Sequence, residues 1–302
     1  MSTVADAHAF PEPLTVAGVA WTPTRLRALQ HGLWFAAALY CIAAIGWALG
    51  DMAGVDAHAY WSSWRNGLYS AGPEQRDAYL YSPVFAQVLW PATLLPWPVF
   101  YGLWMAAATA TYAWLLAPLG PKWAVPLLLI CVPEIVFGNV WPFFALVLVL
   151  GFRFSSAWAF PLLLKVTPGV GVLWFATRRE WRRAASPLIA ALAIASLSFV
   201  LAPGLWADWA RLLVHPGEFT NPARETLTPV LHFPAAVRLS VGLPLSAALT
   251  IYAARRNRPR LLPVAMLFAS PVIGLSALAL LTAIPRIGQA EQSAATTSGL
   301  AS

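Results

Sequence analysis

Apolar residues fall along this chain in long blocks rather than in alternation. Runs at 33–49, 83–95, 99–118, 184–201, 235–254 and 261–284 carry very few charges. Two further stretches, 123–150 and 156–177, are equally apolar but interrupted. A helix needs about 20 such residues to cross the hydrocarbon of a bilayer, and inside hydrocarbon only a helix or a closed barrel satisfies every backbone N–H and C=O. The blocks therefore predict an all-α, polytopic integral membrane protein with about nine membrane segments, some of them short or broken. Pro126, Pro133, Gly138, Asn139 and Pro142 cut the first interrupted stretch into two expected short or half-spanning helices, and Lys165, Thr167 and Pro168 break the second. Irregular backbone at that depth persists only where it is buried or lines a cavity.

Two polar stretches stand out between the blocks, 51–81 and 203–228. The first holds Asp51, Asp56, Glu74 and Asp77, four of the chain's twelve carboxylates, together with His58, Arg65, Arg76 and many Trp and Tyr residues. A connection between two spans needs only a few residues, and long polar loops are where function concentrates. Residues 55–66 contain neither Pro nor Gly. They predict a helix lying along the membrane surface, with Asp56, Tyr60 and Ser63 on one face and His58, Trp61 and Arg65 on another. Residues 1–30 read as a cytoplasmic tail, since no short apolar segment with a small-residue cleavage site is present. Residues 31–286 form one multi-span domain with outer loops at 51–81 and 203–228, and the Ser/Ala/Thr-rich tail 287–302 reads as disordered.

Composition sharpens this picture. Of 302 residues, 59% are hydrophobic and only 10% charged, against roughly 25% charged in a soluble domain. The net charge of +7 would suggest nucleic acid in a soluble chain. Here ten of the nineteen Lys and Arg residues gather in three short segments: Arg25 and Arg27, the four arginines of 178–183, and the four of 255–260. Such clusters mark cytoplasmic loops, so a membrane surface replaces nucleic acid as the partner. The expected arrangement is a multi-pass plasma-membrane protein with its N-terminus cytoplasmic and both long loops outside. Cys41 and Cys131 fall in apolar runs and read as inert buried thiols.

Several residues are chemically out of place. Lys165 sits mid-run, where a charge is costly and therefore a functional candidate, unless its stem snorkels to an interface. Arg238 opens an apolar block near the outer boundary, as a phosphate contact or a topological anchor. Glu134 and Asn139 either polarise a cavity between short helices or cap them. Asp51 ends the first block, and Asp56 and His58 read as either site residues or solvated loop residues. Tyr60 and Tyr81 are belt aromatics that would also stack on a sugar. The chain has no phosphate-binding GxxxxGK[ST] loop, dinucleotide fingerprint, HExxH, CxxC or outer-loop DxD. No nucleotide cofactor and no metal is expected.

Four stretches carry a family resemblance: Asp56-x-x-x-Tyr60; Tyr79-Leu-Tyr-Ser-Pro83-Val-Phe; Phe137-Gly-Asn139; and Leu164-Lys-Val-Thr-Pro168-Gly-Val-Gly-Val-Leu-Trp-Phe with the arginine run after it. In this order and spacing the chain resembles the polyprenol-phosphate-mannose-dependent mannosyltransferases of glycosyltransferase family 87. It departs from them at Trp61, where a basic residue is expected after the Tyr, and in lacking an Asn-x-Ser-Leu pattern in the second outer loop. The resemblance implies a GT-C-like fold and transfer of a hexose, mannose above all, from a polyprenyl-phosphate carrier to a glycolipid or glycan acceptor on the outer face. It implies Asp56 as general base; from their own positions and chemistry, His58, Tyr60, Tyr81, Lys165 and Arg238 read as candidate substrate contacts and Asp51, Glu134 and Asn139 as secondary candidates. The donor is a co-substrate, and no further cofactor is implied. Two readings from other classes remain beside it. A lipid or sugar transporter or flippase would fit the broken helices, although it would spread its polar residues along a path through the bilayer. A non-catalytic relative would keep the fold without the reaction.

Overall fold

A computed structural model describes residues 14–16, 19–73, 75–165, 169–219, 235–270 and 275–290. Most of the N-terminal tail, Glu74, the break at 166–168, the end of the second polar loop and the C-terminal tail from 291 lie outside the described residues. Apart from a small antiparallel pair, β1 (Leu14–Val16) with β2 (Val19–Trp21), every described element is helical.

The first helix, α1 (Pro23–Leu49), starts at Thr22, whose hydroxyl accepts the Arg25 amide at 3.3 Å, with Pro23 at its first position. Beyond the polar first turns that hold Arg25, Arg27, Gln30 and His31 it is apolar on all sides, and Phe35, Ile42 and Ile45 stand exposed. This is the surface a helix presents to lipid rather than water. Three more helices are long and apolar enough to cross a membrane: α4 (Trp97–Leu116, with its following turn), α10 (Trp181–Leu201) and α12 (Ala235–Arg255). Shorter apolar helices fill the space between them. These are α3 (Pro83–Thr93), α5 (Pro121–Ile130), α6 (Val132–Phe137), α7 (Trp141–Leu150), α8 (Ala159–Leu164), α9 (Val170–Thr177) and α13 (Leu262–Phe268).

Two departures from the sequence pattern have local causes. The stretch 123–150 forms three helices, not two, because Cys131–Pro133 and Gly138–Asn139 each break it. The last apolar block is not one continuous helix in its described parts: α13 ends at Phe268, and 275–283 is wound as a 3₁₀ helix.

The first polar loop folds into α2 (Val55–Asn66), ended by Gly54 and Gly67. This helix does not merely rest on the membrane surface. Ala57, Ala59, Tyr60, Ser62 and Ser63 are buried against α3, α4 and α6. Its first turn is fixed to the end of α6 by the Gly54 N–H, which donates to the Val136 carbonyl at 2.7 Å. Gly138, at φ +76°, ends α6 so tightly against α2 that a Cβ there would lie 2.4 Å from the Ala57 Cβ. Only glycine suits both the left-handed backbone and the close approach.

Candidate active site

The YLYSP segment is locked before α3 begins. The Tyr79 hydroxyl donates to the Ser82 carbonyl at 2.9 Å, and the Tyr69 hydroxyl to the Tyr81 carbonyl at 3.0 Å. The Ser82 hydroxyl donates to the Leu163 carbonyl at 2.5 Å, joining the start of α3 to the end of α8. Tyr81 is thereby set beside Lys165, the residue that ends α8. The Lys165 ammonium lies 5.5 Å from the Tyr81 ring centre and 4.3 Å from that of Trp141. Aromatic faces hold a cation by their quadrupole. The ammonium thereby lies within electrostatic reach of Asp56 on α2.

Asp56 meets this cation from the first turn of α2. Its Oδ2 accepts the Asn139 side-chain N–H at 2.9 Å, while the Asn139 Oδ1 accepts the Val140 amide at 2.7 Å. The second bond fixes which end of the Asn139 amide faces Asp56. Burial pushes the Asp56 carboxyl from 3.8 up to about 6, while the Lys165 charge and the Asn139 hydrogen bond favour its ionised form. One helical turn on, Tyr60 is buried, and its hydroxyl lies 3.2 Å from that of Tyr81. Burial first, and the Asp56 charge with it, hold both phenols well above the ordinary tyrosine range, although the Tyr60 hydrogen bond restrains the rise at Tyr81, so they remain protonated hydroxyls. Glu134 is buried within electrostatic reach of Tyr81 and Lys165. It also lines an apolar cavity of about 400 Å³ with Tyr40, Cys131 and Thr282.

Asp56, Tyr60, Tyr81, Asn139 and Lys165 therefore converge, with Glu134 behind them. The other sequence candidates sit elsewhere. His58 faces away, its Nδ1 2.6 Å from Asp77 Oδ1 and its ring against Trp61 and Trp97. Asp51 adopts a left-handed turn at φ +59°, and its carbonyl accepts from Arg76 at 3.0 Å. Arg238 is half-buried on α12, which packs on α9 and α13, and no contact among the described residues joins it to Asp56. Sequence reasoning missed Trp141, the closer of the two rings flanking Lys165. Its signal was its place two residues after Asn139, at the start of α7. No cluster of three or more His, Cys, Asp or Glu suited to a metal is found among the described residues.

A carboxylate with a raised proton affinity, oriented by an amide and faced by a cation on aromatic rings, can take a proton from a hydroxyl while the cation meets a developing anion. A comparison with protein families matches residues 79–288, more than two thirds of the chain, to glycosyltransferase family 87. The match includes Tyr81, Glu134, Asn139, Lys165 and Arg238 and begins downstream of Asp56 and Tyr60. No curated protein and no solved structure matches the chain.

Proposed function

The chain belongs to glycosyltransferase family 87, and from that premise we propose that this membrane glycosyltransferase moves a hexose, with mannose the expected sugar, from a polyprenyl-phosphate carrier to a glycolipid or glycan hydroxyl. The reaction takes place at the outer face of the plasma membrane, on a GT-C-like scaffold of about nine membrane segments. The observation that carries this reading is the pairing of Asp56, held by Asn139 at 2.9 Å, with Lys165 seated on Trp141 and Tyr81.

The chemistry needs little else. The acceptor oxygen attacks the anomeric carbon, its proton passes to the Asp56 carboxylate, and the bond from that carbon to the carrier phosphate breaks. The released phosphate takes the electron pair, and Lys165 offsets its charge. A single displacement inverts the anomeric carbon. Tyr81, only half-buried, offers its hydroxyl and ring to the sugar, while the buried Tyr60 orients the Tyr81 hydroxyl from 3.2 Å. An apolar groove of about 280 Å³ runs between α3, α8 and α10, lined by Val84, Phe85, Ile194 and Leu164, the residue before Lys165. Its lining suits the first isoprenoid units of the carrier.

Purified protein given polyprenyl phosphates bearing labelled mannose, glucose or galactose, with extracted membrane glycolipids as acceptors, tests the reading. Transfer from the mannose donor supports it. Transfer only from a nucleotide sugar would overturn the donor assignment, and transfer only from another hexose would overturn mannose.

A further inference from the structure

Two arginine runs that serve as topology markers in the sequence meet in space. The Arg178 guanidinium, from the end of α9, donates to the Asn257 side chain at 3.0 Å and to the Ala254 carbonyl at the end of α12 at 3.4 Å. Glu180 is bracketed between Arg178 Nε at 2.7 Å and Arg183 Nη1 at 2.8 Å, and Arg183 also donates to the Phe152 carbonyl beyond α7. This polar clasp forms one wall of a cavity of about 280 Å³ whose other walls are apolar, among them Val149, Phe152, Trp174 and Ile287. The two runs hold eight arginines against the single carboxylate of Glu180. Arg178, Arg183 and Asn257 line the cavity, and their chain neighbours Arg179, Arg182, Arg255, Arg256 and Arg258 are exposed.

The cavity is separate from the candidate active site. It lies at the first turn of α10, whose far end at Ser198 is bonded to Gln87 and Trp206. Trp209 of the next helix, α11 (Pro203–Val214), reaches the Leu80 carbonyl beside Tyr81. The 21 residues of α10 place the two ends about 30 Å apart, so with α10 as a span they lie on opposite faces of the membrane. The exposed indole of Trp181 marks the cavity's end as headgroup level.

We infer that this cavity holds an anionic membrane phospholipid, with its phosphate at the arginine-rich mouth and the upper part of an acyl chain against Trp174, Val149 and Ile287. The two-part chemistry of the walls selects this ligand. A free phosphate would leave the apolar walls unused, and a zwitterionic lipid would set its own cation against the arginines. Basic pockets between membrane helices bind anionic headgroups on this principle.

The test uses the full-length protein in phosphatidylcholine nanodiscs, titrated separately with phosphatidylglycerol, more phosphatidylcholine and inorganic phosphate. Thermal midpoint and native mass spectrometry are the readouts. Phosphatidylglycerol should bind saturably and raise the midpoint, and the other two should not. The triple variant Arg255→Gln/Arg256→Gln/Arg258→Gln leaves the Glu180 clasp intact and should weaken phosphatidylglycerol binding on the order of 100-fold. Ala290→Trp, placed in the cavity lining, should abolish it with every charge retained, and it decides the matter if the triple variant fails to fold. Equal binding of the two lipids, displacement of lipid by inorganic phosphate, or parental affinity in Ala290→Trp would overturn the inference.

Discussion

Asp56 is under opposed influences, and its ionisation is where they can be measured. Burial lifts its pKa to about 6, while Lys165 and Asn139 restrain that rise. A general base works only when ionised, so turnover should fall as pH drops through about 6, well above the ordinary aspartate range. Removing the cation in Lys165→Met takes away the positive charge that favours the carboxylate, and the acid limb should then move to higher pH. The same variant loses a charge-assisted contact to the donor phosphate, costing about 1.5–3 kcal/mol of donor binding. Asn139→Ala should shift the limb in the same direction with donor affinity kept. A pH–rate profile for the parent and both variants checks these outcomes. A limb that stays in place in both would remove Lys165 and Asn139 from the site. At this scale the sequence offered several of the residues that converge in the structure but not their partners. Lys165 is an anomaly in any apolar run, whereas its seat on Trp141 depends on how α7 and α8 pack.

The placement of α2 depends on contacts between elements far apart in the chain. Its bounds were legible in advance, because Gly54 and Gly67 enclose a stretch free of helix breakers. Its burial was not, since that requires the end of α6 to approach Ala57 from eighty residues away. Gly138→Ala tests this junction. The new methyl would meet the Ala57 Cβ in a left-handed turn, which should cost about 1–3 kcal/mol of stability and reduce turnover by displacing Asn139 from Asp56. Adding Ala57→Gly should recover part of both losses, read by thermal unfolding and by transfer assay. Failure to recover anything would place the damage in the α6 turn alone. The breaks in 123–150 were visible as Pro and Gly, but their outcome as three helices was not. A break marks where a helix stops and leaves open whether the next segment resumes its direction.

Across the whole molecule, hydrophobic blocks and arginine clusters give a topology that labelling can test. In a background with Cys41 and Cys131 replaced, a cysteine at Pro216 should react with an impermeant thiol reagent in intact cells. Cysteines at Arg182 and Arg256 should react only after permeabilisation. The reverse pattern would turn the protein over in the membrane and put Asp56 on the cytoplasmic side. The long apolar helices were readable from the blocks of apolar residues because lipid imposes one rule on every exposed face. The convergence of α2, the YLYSP turn and the end of α8 was not readable, because each is locally unremarkable and only their packing makes a site. The most direct measurement of the central claim is single-turnover transfer by purified Asp56→Asn from labelled polyprenyl-phosphate mannose. Asparagine keeps the size and can still bond Asn139, but it cannot take the acceptor's proton, so the chemical step should slow roughly 10²–10⁴-fold with donor affinity little changed. Transfer at the parental rate would contradict the assignment of Asp56 as the base.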